Sequence, residues 1–232
     1  CVVNKGKLII PSFAIGRTQE VVFVLNKFFN DGLLPRVKVY VDSPLAVNAT
    51  EIFRMHLDLM NEDVKREISE GDHDPFSFNN LIYIKKVEQS KELNELHEPC
   101  IIISASGMAE AGRVKHHIAN NIANPRNTIM MVGYCSPTSL GARIQQPGLK
   151  EISIFGKMHD VKARITKMEA FSGHGDYLEM KGFLDCQDKT QVKKTFLVHG
   201  EYEVQKFYAD ILKKDGFQKI ELPAFGNEFE LS

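Results

Sequence analysis

Apolar residues along this chain fall into two rhythms that alternate. Short, nearly unbroken apolar runs predict strands: GKLIIPSF (6–13), RVKVYVDSP (36–44), LIYIKKV (81–87), CIIISASG (100–107) and NTIMMVGY (127–134). Between them the apolar residues recur at helical spacing. GRTQEVVFVLNKFFNDG (16–32) closes on a glycine stop. AVNATEIFRMHLDLMNEDVKREISEG predicts one helix or a pair, SKELNELH a short helix, and GRVKHHIANNIAN (112–124) another. Apolar strands alternating with helices imply an α/β fold. Its sheet is mostly parallel, covered by helices on both faces and joined by right-handed crossovers.

From about Gly141 the rhythm changes. KEISIFGKMHDVKARITKMEAF (150–171) predicts two strands around a polar turn at Lys157–Asp160. A helix (DYLEMKGFLDCQ), a strand (KKTFLVHGE), a helix (YEVQKFYADILKKDG) and a strand pair (KIELPAF and EFELS) follow. The expected boundary lies near residue 160, separating 1–160 from 161–232. No internal repeat or low-complexity segment interrupts the chain.

The 232 residues can bury a sizeable core, as one large domain or two smaller ones. Apolar content of 43% and charged content of 25% are ordinary for a soluble globular protein. The formal net charge of −1 supplies no bulk positive field, so a polyanion partner must be held by a local patch. No apolar run approaches the ~18 residues of a membrane span, and no membrane partner is expected. Cys1, Cys100, Cys135 and Cys186 are scattered without a CxxC pair. That spacing argues against a zinc knuckle or a disulfide framework and for reduced thiols in a cytoplasmic protein. The opening CVVNKGKLII has neither a Met nor an apolar signal core, and reads as the middle of a longer chain.

Ligands of open α/β sheets sit beyond the carboxyl ends of the strands. The residues there are rich in Gly, Ser and His: Phe13–Arg17, Asp42-Ser43, Ser104–Met108, Gly133-Tyr134, Phe171–Asp176 and Val198–Glu201. His199 ends a strand and precedes a Gly-Glu turn into a helix. It suits a metal ligand or a hydrogen-bonded histidine at a helix start, and taken alone the second reading is favoured. His174 stands in the same order of strand, Gly-His-Gly, acid and helix. Consecutive parallel strands tend to be neighbours, which would bring both imidazoles to one space. Ser104–Met108, with Ser106 and Gly107, reads as a backbone anion cradle or as a tight turn that needs small residues. It matches neither a Walker loop nor a nucleophile elbow. Arg113, Lys115, His116 and His117 place several cations in about one helical turn. Adjacent residues lie ~100° apart on a helix, so His116 and His117 cannot readily share a metal. Arg17 opens a helix, where a cation opposes the helix dipole, which suggests a phosphate contact or an ion pair.

Taken in order, KLIIPSFAIGRTQE, VYVDSPLA, SASGMAEAGRVKHHI, NTIMMVGYCSPTSLGARI, FSGHGD and FLVHGE resemble the β-CASP branch of the metallo-β-lactamase superfamily. That branch includes the mRNA 3′-end processing nuclease and its bacterial and archaeal relatives. The resemblance spans Lys7 to Glu201 and implies a set of site residues. His174 matches the motif B histidine, a scissile-phosphate contact and general acid. His199 matches motif C, a zinc ligand whose histidine is typical of RNA-acting members. Ser104, Ser106, Gly107, Arg113, Lys115, His116 and His117 match the RNA-lining segment, and Arg17 is a further phosphate candidate.

One landmark is missing. Among the eight histidines no HxHxDH occurs, and zinc sites need three or four protein ligands. The resemblance therefore implies the C-terminal half of a two-zinc ribonuclease. It would hold most of a β-CASP domain and the closing portion of the metallo-β-lactamase αββα fold. Its expected partners are RNA and the missing N-terminal half, and the fragment alone is expected to be inactive with its zinc site absent or incomplete. The closing segment would expose an apolar face, which predicts homodimerisation or a different cover. The alternative is a non-catalytic RNA-binding or scaffold subunit of the same family. A plain nucleotide-binding domain ranks last, since GxGxxG and P-loop patterns are absent.

Overall fold

The computed structural model describes residues 2–71, 74–171 and 175–230. It divides into two compact units, Cys1–Ser172 and Gly173–Ser232. The first unit runs β1 (Leu8–Pro11), α1 (Arg17–Asn30), β2 (Lys38–Asp42), α2 (Pro44–Met55), α3 (Glu62–Ser69) and β3 (Leu81–Ile84). It continues through α4 (Val87–Glu95), β4 (Cys100–Ser104), α5 (Arg113–Asn121), β5 (Thr128–Met131) and α6 (Leu140–Arg143), then β6 (Glu151–Ile154), β7 (Lys157–Asp160) and β8 (Arg164–Lys167).

Six strands form one sheet in the order β3-β2-β4-β1-β5-β8, with every neighbouring pair parallel. The two-residue period of a strand sends successive side chains to opposite faces. Ile10, Val39, Val41, Ile101 and Ile103 face one side, against Val21 and Val22 of α1 and Ala46 of α2. Ile9, Ile129 and Met131 face the other, against Val114 and Ile118 of α5 and Leu140 of α6. Tyr40, Ile84 and Ile102 pack against Leu93 of α4. Full burial of one such aliphatic side chain is worth about 1.5–3 kcal/mol, so the sheet and its two helical layers form the stable frame.

Local chemistry sets the helix starts. The Ser43 hydroxyl accepts from the Ala46 amide at 3.2 Å, and Pro44 occupies the first helical position, where its missing N–H costs nothing. Asn61 caps α3 in the same way, 3.0 Å from the Val64 amide.

The second unit contains α7 (Tyr177–Leu184), β9 (Thr195–Phe196), α8 (Tyr202–Lys214) and β10 (Ile220–Glu221). A capping box starts α7: Asp176 accepts from the Leu178 and Glu179 amides, and Glu179 accepts from the Asp176 amide. Tyr208, Leu212 and Phe217 form the core, with Leu184, Ile211 and Ile220 around them. Lys181 and Lys189 each bridge Asp185 and Asp215 and so tie α7 to the end of α8.

Two expectations are corrected. Lys157–Asp160 is strand β7, antiparallel to β6, and the turn is Phe155-Gly156. Both residues have positive φ, 53° and 73°, the geometry that matches a tight hairpin to the twist of its strands. β8 pairs in parallel with β5, so the six-stranded sheet runs past residue 160 to Lys167. The final strand pair does not form among the described residues. β10 pairs in parallel with β9, and an Ala224–Asn227 turn follows it. No described helix is long and apolar enough to cross a membrane.

Candidate functional site

Asp42 ends β2 with its side chain fully buried. Arg113 donates to Oδ1 at 2.6 Å, while Ser90 at 2.5 Å and His117 Nε2 at 2.6 Å share Oδ2. Burial alone would raise this carboxyl's pKa. The hydrogen bonds from His117, Ser90 and Arg113, with the charge of His117, outweigh burial and hold it below the ordinary carboxylate range. A buried carboxylate with such partners locks together the elements they stand on, here β2, α4 and α5.

This network places several of the expected site residues. His117 is 1% exposed, and its Nδ1 lies 3.1 Å from the side-chain amide of Asn94. Both ring nitrogens are therefore engaged inside the protein, and His117 cannot meet a phosphate in this state. Ser104 is equally buried and donates to the Asp42 carbonyl at 2.7 Å. Arg113 is held by Asp42 and by the Lys85 carbonyl at 2.7 Å.

The Ser104–Met108 stretch leads into a turn that bonds back on itself. The amides of Ser106, Ala109, Ala111 and Val114 donate to acceptors within residues 105–111. Within the stretch itself this occupies the Ser106 amide. Glycine serves close packing here. A Cβ on Gly107 would lie 2.8 Å from the Phe13 ring, and one on Gly112, at φ 78°, would lie 2.4 Å from the Ala105 carbonyl oxygen. Ser106 retains partial exposure and pairs with Ala111.

Lys115 and His116 face outward on α5. His116 stacks on Phe155 with ring centroids 4.5 Å apart, and the Lys115 ammonium lies 5.1 Å from the centre of the same ring. Arg17 forms the ion pair, with Glu20, and lies over the Phe171 ring at 5.7 Å. Asp42 was visible in sequence only as a strand-end acid, and Ser90, Asn94 and Phe155 carried no motif. A charged residue closing an apolar strand is the signal that points to a buried network.

His174 lies outside the described residues. His199 follows β9 at φ 69°, exposed, with its carbonyl accepting from Gln205 at 3.1 Å. Among the described residues its ring has no hydrogen-bond partner, and no three His, Cys, Asp or Glu side chains converge as a metal site would require. Burial pushes the Cys100 thiol up to about 11 and raises Cys135 as well, which keeps both protonated and poor ligands. The described residues do not fit a metal site by themselves, because His199 stands alone.

Residues 18–144 match the Beta-Casp domain family model, and residues 158–223 match the model described as a Zn-dependent metallo-hydrolase RNA specificity domain. The chain is 33% identical to an RNase J-like protein of Methanocaldococcus jannaschii, over 96% of this chain and 48% of that protein. A ribonuclease of Thermus thermophilus is 31% identical over 95% of this chain and 49% of its own length. A transcription termination factor of Methanosarcina mazei is 31% identical over 84% of this chain and 31% of its own length. The chain thus spans about half the length of the first two curated relatives, and less of the third. With a parallel α/β sheet in the first unit and the Beta-Casp model matched over more than half its residues, this chain belongs to the β-CASP family of the metallo-β-lactamase superfamily.

Proposed function

We propose that this chain is the RNA-facing and closing part of a zinc-dependent ribonuclease acting in RNA processing or decay. The observation that carries the reading is the ordered pair of family matches, an RNA specificity domain directly following the Beta-Casp domain on one chain. Two features are consistent with it. Among the described residues His199 presents an unpartnered imidazole at a strand end, the chemistry a zinc ligand needs. Leu178, Phe183, Tyr202, Val204 and Phe207 stand exposed on the second unit, the kind of apolar surface that a further chain half would cover.

In this reading an upstream half supplies the remaining metal ligands, and the zinc supplies Lewis-acid activation of water when bound. His199 contributes one ligand, and His174 contacts the scissile phosphate. Cleavage then requires both halves, and this chain alone does not hydrolyse RNA. The apolar face is covered by that half, or by a second copy where the half is absent.

The test is zinc content and RNA cleavage of the longer protein carrying His199→Ala or His174→Ala. Zinc loss in the first, with zinc retained and cleavage lost in the second, is the expected pattern. A longer protein that binds RNA without cleaving it would establish the scaffold alternative instead.

A further inference from the structure

We infer that the cleft between α4, α5 and the β6–β7 turn is a nucleotide subsite for single-stranded RNA. The base continues the Phe155–His116 stack, and the phosphate lies between Lys91 and Lys115. The inference rests on the RNA reading above and adds to it a base-stacking site away from the His199 junction.

The cleft has a volume of about 430 Å³, within the range of small-ligand sites and sufficient for one nucleotide. Its aromatic wall is unusual. Phe155 sits at φ 53° in a hairpin turn, a conformation that favours Gly or Asn and disfavours a bulky side chain. The ring is nonetheless half exposed rather than buried in a core, at 52%. Among the described residues its ring contacts are the exposed His116 and the Lys115 ammonium, both at the surface rather than in a core. Strained residues of this kind persist where they serve a site. The stacked rings of Phe155 and His116, inclined by 28°, offer a π-face on which any base can stack.

The charges suit a phosphate. Among the described residues Lys91 has no ion-pair or hydrogen-bond partner, although it lines the cleft. Among the described residues the Lys115 ammonium holds only the Glu110 carbonyl, at 3.2 Å, and the Phe155 face, with no carboxylate paired to it. Glu110 also lines the cleft, but its carboxylate accepts the Leu140 amide. Arg113 is neutralised by Asp42. Two free cations beside an aromatic stack form the combination that single-strand binders use. Asn120, exposed on the rim, offers an amide to a base edge.

Fluorescence anisotropy of a labelled ten-nucleotide oligoadenylate with the intact chain at low salt tests the site. Phe155→Leu is expected to weaken binding about 5-fold or more, the share of one stacked base, while Phe155→Tyr retains it. Lys91→Ala is expected to lower the slope of log affinity against log salt by about 0.7, one phosphate contact on a single strand. Photocrosslinking of a 4-thiouridine oligomer to the unmodified chain, expected at Phe155 or His116, gives a readout free of any folding defect. If the unmodified chain binds no oligomer, the RNA reading falls and this site with it. If it binds, yet Phe155→Leu matches it and crosslinks form only elsewhere, the subsite alone is overturned.

Discussion

Nε2 of His117 stands 2.6 Å from Oδ2 of Asp42, and both side chains are sealed from solvent. The contact spans 75 residues of sequence and pins the middle of α5 to the end of β2. Asp42→Asn is isosteric but replaces an acceptor by an amide that donates. Every side-chain partner of this carboxylate is a donor or can act as one, so the new N–H must face Arg113 or His117. Removing one member of a buried pair costs roughly 3–5 kcal/mol. Chemical denaturation should show a loss of that size in the first unit, with an unchanged denaturant slope.

The same network sets the acid limit of stability. The folded pKa of Asp42 is lowered, since its hydrogen bonds outweigh burial, while the unfolded value is about 3.9. The unfolded chain then binds the proton more readily, so stability rises with pH. The contribution of Asp42 is fully present above about pH 4 and is lost as pH falls through the folded pKa. Denaturation midpoints measured between pH 6 and pH 2.5 should fall at the acid end. The fall should be shallower in Asp42→Asn.

Gly112 holds the turn between β4 and α5 at φ 78°, with the Ala105 carbonyl where a Cβ would stand. Gly112→Ala pairs a disfavoured backbone with a clash against backbone, and neither is relieved by rotating a side chain. The expected loss is about 1–3 kcal/mol. Faster amide exchange at Val114, whose N–H donates to that carbonyl, should report it locally.

Much of this architecture was written in hydrophobic rhythm. Strands β1 to β5 of the parallel sheet are apolar runs and were legible as such, whereas β8 at the sheet edge, RITK, carries no apolar run. The choice between His116 and His117 was legible in principle. The buried face of α5 is Val114, His117, Ile118 and Asn121, at the i, i+3, i+4, i+7 spacing of one helix side. What spacing could not reveal was that an acid waits opposite His117, because Asp42 gathers partners 48, 71 and 75 residues away. The β6–β7 turn escaped for a different reason. Its signal is Gly156, but the other central residue is a Phe, which ordinarily marks a strand. The β9 strand is short, two residues, so its apolar run overstated it.

The second unit has its own small core, which shares no residue with the cores of the first. Leu212 is its most buried member, at 0% exposure, between Tyr208 and Phe217. Leu212→Ala removes apolar contact and leaves a cavity that so few neighbours cannot refill, a loss of about 2–5 kcal/mol. A core this small has little stability to spare, so α7 and α8 should open well before the sheet does. Hydrogen exchange should show α8 amides losing protection in this variant, while β1 and β4 exchange as in the unmodified chain. Loss of protection in all these segments together would mean that the two units unfold as one.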